Sequence, residues 1–169
     1  LTANPPDQVH EVLAAGEWPP GREIDSISLD FDQRHRRRIL LTTQAGREVL
    51  LDLPQARRLR HGDGLVVPHG IVRIEAAAEP VMDIHAAPQA LMRIAWHLGN
   101  RHLAVQMLDG ALRIRADHVI AGMVAGLGGH VHAETAPFQP EGGAYAAAAG
   151  APAHHHHYDD DHDHPHDHA

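Results

Sequence analysis

The sequence predicts an α+β chain in three parts: a small all-β domain over residues 1–78, a ferredoxin-like β-α-β-β-α-β domain over 79–141, and a disordered linker with a His/Asp-rich tail over 142–169. Three observations predict it. Apolar residues recur at period two in short runs through the first half, and at helical period in two segments of the second half. After Gly142 the apolar pattern gives way to small residues and then to histidine and aspartate. A disordered tail leaves about 145 residues for folding, enough for two small domains.

From Val9 to about Ala78 the elements are short strands separated by turn residues. Ile27, Leu29 and Phe31 alternate with Ser and Asp, as a strand with one buried face requires. A basic bend, Gln33 to Arg38, leads into a strand at Ile39 to Thr43. Gln44-Ala45-Gly46 then turns the chain into Glu48 to Leu53, completing a meander. Gly62-Asp63-Gly64 and His69-Gly70 bracket Leu65 to Pro68, and Ile71 to Ile74 follows as the next strand.

The character changes near Glu79-Pro80. Pro80 to Ile84 reads as a strand. Pro88 opens a helix with Leu91, Ile94, Ala95 and Leu98 on one side and Gly99 at its end. Leu103 to Leu108 and Ala111 to Arg115 read as strands joined across Asp109-Gly110, a strong hairpin signal. Asp117 sits at the N-cap of a second helix carrying Val119, Ile120, Met123, Val124 and Leu127, and Gly128-Gly129 stops it. A strand from His130 to Ala136 completes the split βαβ arrangement. The small residues of Gly142 to Ala153 read as a linker.

Function is legible first in the final sixteen residues, HHHHYDDDHDHPHDHA. Imidazole nitrogen suits nickel, zinc and copper, and a nearby carboxylate can complete a site, so His154, His155, His156, His157, His162, His164, His166 and His168 are expected metal ligands. Alternation with Asp and the presence of Pro165 distinguish this tract from a homopolymeric purification tag. Without fixed geometry it should hold several ions loosely and discriminate poorly among them. Because imidazole must be neutral to ligate, uptake should weaken as the pH falls through about 6 to 6.5.

Composition narrows the alternatives. The formal net charge is −8, but five Asp lie in the tail, so the folded part is closer to neutral and does not advertise nucleic-acid binding. With no Cys, metal ligands must be His, Asp or Glu. The N-terminus lacks a basic start followed by an apolar run, and no long apolar stretch occurs elsewhere. Neither a signal peptide nor a membrane span is expected, and the cytoplasm is the default location. There is no Gly-rich phosphate loop, no His-Glu-x-x-His and no Gly-x-Ser-x-Gly, which argues for a binding or carrier protein and against an enzyme.

Within the folded part, His97 flanks an apolar stripe and reads as packed or hydrogen-bonded. His102, just past a helix C-terminus, has an ordinary dipole explanation. Asp117 reads as a plain cap and His118 as a solvated first-turn residue. His130 and His132, two apart in a strand, share one face, a spacing that can chelate but more often lines a wet surface. Arg34 to Arg38 reads as a solvated hairpin tip, or more sharply as a docking patch for an acidic partner.

Taken together, Asp30-Phe31-Asp32-Gln33-Arg34, Leu51-Asp52-Leu53-Pro54, Leu59-Arg60-His61-Gly62-Asp63, His97-Leu98-Gly99-Asn100-Arg101-His102, Asp117-His118-Val119, Pro137-Phe138, Pro140-Glu141 and Gly143-Ala144-Tyr145 make the chain resemble the UreE family of urease accessory proteins, which are nickel metallochaperones. The resemblance implies an N-terminal β domain that docks partners, a ferredoxin-like metal-binding domain and a homodimer. It places the family's interfacial metal-binding histidine on His102, so that two copies share one ion. Some members carry a pair of His around the Asp before the second helix; here the first of those positions is Ala116, leaving His118 alone. The implied cargo is nickel, with copper and zinc as competing ions. The implied partners are the urease accessory GTPase and the urease preassembly complex, with neither nucleic acid nor membrane. The alternative is a histidine-rich metal store or buffer without directed delivery.

Overall fold

The computed structural model describes residues 5–142. Residues 7–76 form two sheets and residues 78–137 a third, with two α-helices confined to the latter segment. This is the α+β class that the two periodicities predict.

In the first half, β1 (Asp7–Val9), β5 (Glu48–Arg58) and β4 (His35–Thr42) make one sheet in that order. The other sheet runs β2 (Val12–Leu13), β6 (Gly64–Val67), β7 (Gly70–Ala76), β3 (Glu23–Leu29). Their inward residues, including Val9, Ile27, Leu29, Leu41, Leu51 and Ile74, close over one shared core. The expected meander is only partly right. β4 and β5 pair antiparallel, as do β6 and β7, but β1 joins β5 and β3 joins β7 in parallel, so both sheets are built from strands distant in sequence.

Two local expectations are corrected. The strand through Ile27 and Leu29 ends before Phe31, because Asp30 and Gln33 close a turn reciprocally. The Gln33 amide donates to Asp30 Oδ1 at 2.7 Å, and the Asp30 amide donates to Gln33 Oε1 at 3.0 Å. The basic bend is shorter than expected, since His35 to Arg38 already belong to β4. The β4–β5 register jumps between Arg36 and Arg38, opposite the stretch of β5 that contains Pro54, a residue unable to donate to a ladder.

In the second half the strand order is β11 (His130–Pro137), β8 (Ala78–His85), β10 (Ala111–Arg115), β9 (Gln106–Leu108), all antiparallel. With α1 (Pro88–Asn100) and α2 (His118–Gly126) as crossovers, this is the ferredoxin-like arrangement. Met82, Ile84, Leu112 and Ile114 meet Ile94 and Leu98 of α1 and Ile120 and Val124 of α2 in a second core. The strand expected from Leu103 is confined to residues 106–108, because the Leu103 amide is used in capping α1 and the Val105 carbonyl accepts from Glu141 at 2.8 Å.

A third, small cluster of Phe31, Val81 and Phe138 lies where the halves meet, with the two phenylalanine rings tilted at a centroid separation of 5.1 Å. Arg34, 1% exposed, reaches through this junction and donates to the carbonyls of Leu59 and Phe138. Its placement overturns the reading of Arg34 as part of a solvated tip: the residues on either side are exposed, but this guanidinium is interior. Burial pushes its pKa below the usual arginine range, against the pull of Glu79, Asp30 and Asp63.

Candidate metal centre

α1 begins at Pro88, where a missing N–H costs nothing, and buries Ile94 and Leu98. It runs past Gly99 to Asn100, so glycine does not end it. The cap is made instead by His102, at φ +54° the one non-glycine residue with positive φ among the described residues. The His102 amide donates to Gly99 at 2.9 Å and the Leu103 amide to Leu98 at 3.2 Å, the paired bonds of a Schellman motif.

α2 supplies an internal comparison. It ends in the same motif, with Gly128 at φ +84° donating to Ala125 at 3.1 Å and Gly129 donating to Val124 at 3.0 Å. There the left-handed position holds glycine, as sterics favour. In α1 it holds histidine, at a cost of roughly 1–2 kcal/mol. The motif carries an exposed imidazole on a fixed point of the backbone.

The topology decides which histidines share an end of the domain. β8 runs from Ala78 to His85 and α1 returns, so His102 lies at the end where β8 begins. β10 reaches that end at Arg115, which pairs with Val81. The start of α2 is therefore there as well, with His118 exposed in its first turn. Asp117 caps the helix, accepting from Val119 at 2.8 Å and Ile120 at 3.1 Å, so its carboxylate is committed to the backbone. A cleft of about 380 Å³ lies at this end, lined in part by Leu103, Ala104, Arg115, Asp117 and Phe138.

Among the described residues no three His, Asp or Glu side chains are gathered where they could hold one ion. His102 and His118 share an end of the domain without forming a closed site, which leaves coordination positions to be filled from elsewhere. His154, His155, His156, His157, His162, His164, His166 and His168 lie outside the described residues. His97 is half-buried with its ring edge-on to Trp96 at 5.0 Å. His130 and His132 are exposed on β11, at the opposite end of the sheet.

One feature is not read from the sequence. Met92 and Trp96, one turn apart on α1, are 67% and 66% exposed and border a shallow groove with Gln89, Arg93 and His97. Their i, i+4 spacing off the apolar stripe was the available signal. On the first half, His35 to Arg38 are all exposed, and the register sets Arg36 opposite Arg57 and His35 opposite Arg58. Arginines facing each other across a ladder repel, and here Asp52 lies 3.8 Å from Arg37 and 4.0 Å from Arg38, with Asp63 3.9 Å from Arg57, as partial compensation. No helix among the described residues is long and apolar enough to cross a membrane.

Comparison with known proteins gives two family matches. The family model described as UreE urease accessory protein, C-terminal domain, matches residues 79–168, and the corresponding N-terminal domain model matches residues 7–77. The chain is 54% identical over 137 residues to the urease accessory protein UreE of Bradyrhizobium sp. (strain ORS 278), covering 80% of this chain and 65% of that protein. It is 56% identical over 124 residues to that of Rhodopseudomonas palustris (strain HaA2), covering 72% and 58%. Against that of Chelativorans sp. (strain BNC1) it is 46% identical over 128 residues, covering 75% and 81%. The matched segment thus spans under two thirds of the length of the Bradyrhizobium and Rhodopseudomonas relatives.

Proposed function

The chain belongs to the UreE family of urease accessory proteins, and from that membership we propose that it is a nickel metallochaperone serving assembly of the urease active site, with His102 as its principal ligand. In this reading residues 1–78 dock partners, 79–141 bind metal and 142–169 are linker and tail. The observation that carries it is the left-handed cap: an exposed imidazole held at a strained backbone position where α2 uses glycine. Strain retained at one residue is a mark of function.

One histidine per chain makes a poor site alone. In a symmetric homodimer His102 and its copy would share an ion, with His118 nearby and tail imidazoles completing the shell. Met92 and Trp96, a large apolar pair left in water, supply a surface for self-association. Few protein ligands and open positions suit a carrier that must release its cargo. Copper and zinc compete for the same imidazoles, so nickel is set by supply and partner and not by ligand preference. The basic edge from His35 to Arg38 fits an acidic surface on a receiving partner, the accessory GTPase or the urease preassembly complex. The relatives are named accessory proteins, and no reaction is assigned to this chain. The proposed setting is the cytoplasm.

A second reading, a metal store without directed delivery, is favoured by the eight imidazoles of the tail. Nickel calorimetry on a chain ending at Ala153, with and without His102→Ala and with the oligomeric state measured in parallel, separates the two. The chaperone reading expects about one ion per dimer and its loss on substitution. Loss of all binding on truncation alone would make the protein a buffer.

A further inference from the structure

We propose that the face of the ferredoxin-like sheet turned away from the helices carries a second transition-metal site, built on the cross-strand pair His85 and His130. The inference rests on strand register and does not depend on the reading of His102.

Period two places Met82, Ile84 and Val131 against the helices, and therefore Asp83, His85, His130, His132 and Glu134 on the other face. The β8–β11 ladder sets His130 directly opposite His85, and His132 opposite Asp83. His132 is thus the diagonal neighbour of His85, within reach of a long side chain. The rings of His85 and His130 stack at a centroid separation of 5.6 Å with 21° between their planes. A zinc-like ion bonds imidazole nitrogen at about 2.1 Å, which puts it roughly 3.2 Å from each ring centre and two ligating rings of a tetrahedral site roughly 5.2 Å apart. The stack brings the two imidazoles within range of one ion, and chelation turns one ring out of the near-parallel stack so that both ring planes contain the ion.

The surrounding charges leave these imidazoles available. Arg113 donates through Nε to Asp83 Oδ1 at 2.7 Å and through Nη2 to Asp83 Oδ2 at 2.8 Å, and Nη2 also meets Glu134. Asp83 and Glu134 are thereby engaged, whereas the rings of His85, His130 and His132 have no hydrogen-bond partner among the described residues. The ligand class is a borderline divalent ion such as nickel, copper or zinc, held by two imidazoles with water in the remaining positions. Its place is separate from His102: the thirteen residues of α1 put roughly 20 Å between the two ends of the domain.

The test is nickel protection against diethyl pyrocarbonate on the full-length chain, read histidine by histidine by mass spectrometry, because a coordinated ring nitrogen cannot be acylated. At nickel saturation, modification of His85 and His130 should fall about tenfold, while exposed His69 stays reactive. In His102→Ala the protection of His130 should persist; in His85→Ala, or in His85→Asn if the first variant melts early, it should be lost. Failure of His130 to be protected would overturn the site. So would protection that survives loss of His85, or protection shared equally by His69, since both outcomes would assign the ligands to the tail. Loss of protection in His102→Ala alone would show that no separate site exists.

Discussion

The amide of Leu103 donates to the carbonyl of Leu98 at 3.2 Å, closing α1 around His102 and holding that residue at φ +54°. Both leucines belong to the ferredoxin-like core, one buried and one partly so. The strained backbone is therefore anchored by packing on either side.

His102→Gly should consequently stabilise the protein while removing the proposed ligand. Relief of the left-handed penalty, about 1 kcal/mol after the entropy cost of glycine, should raise the melting temperature by roughly 3 °C. Calorimetry on the same variant should show the folded part's nickel binding lost. A lower melting temperature would mean that the His102 ring makes stabilising contacts that outweigh the strain.

Arg34→Met leaves the carbonyls of Leu59 and Phe138 without their donor inside a closed junction. Urea unfolding should report a loss of roughly 2–4 kcal/mol. A change under about 1 kcal/mol would show that water replaces the guanidinium there.

Acid should act through Asp83. The N–H groups of Arg113 hold its carboxyl below the ordinary range, so the folded-state pKa is the depressed one. Its stabilisation is present at neutral pH and above the unfolded pKa of about 3.9, and fades as the pH falls through the lower folded value. Asp83→Asn should therefore be destabilised by about 1–3 kcal/mol at pH 7, with the difference from the parent chain shrinking as the pH falls below the unfolded value of about 3.9. Thermal melts across that range check both halves of the expectation.

Asp117→Ala should cost about 1 kcal/mol, the value of one N-cap, and leave nickel stoichiometry unchanged, because the carboxylate is already spent on Val119 and Ile120. Fewer ions bound by a correctly folded variant would make Asp117 a ligand.

Trp96→Glu should leave the melting of the fold within about 0.5 kcal/mol of the parent, as surface substitutions do, while shifting sedimentation towards the monomer. A persistent dimer would move the self-association surface away from Met92 and Trp96.

Periodicity made the ferredoxin-like half legible nearly element by element. Its helices each turn one apolar stripe to a single sheet, and Asp109-Gly110 and Gly128-Gly129 sit where the turns require them. The first half was less legible because its sheets join strands distant in sequence, and period two says which face is buried but not which strand is the neighbour. Arg34 was misread for a related reason: a run of basic residues looks uniformly solvated until the chain reverses under one of them. His102 is singled out by resemblance alone, since spacing gives no cause for a histidine in a left-handed cap. The pairing of His85 with His130 is invisible in the sequence because the two are 45 positions apart and only the ladder brings them together.

The parallel pairings bear on the order in which a nascent chain can fold. A ribosome that has released residues up to Arg58 has freed β1, β4 and β5, a complete sheet, yet β2 and β3 have nothing to pair with until β6 and β7 appear. For that interval Ile27 and Leu29 remain on an unpaired edge, the kind of surface that recruits aggregation. The Phe138 carbonyl that Arg34 needs is made later still, so this half cannot be sealed until the ferredoxin-like half has been synthesised. Synthesis rate and temperature should therefore govern the yield of soluble protein more than its equilibrium stability does.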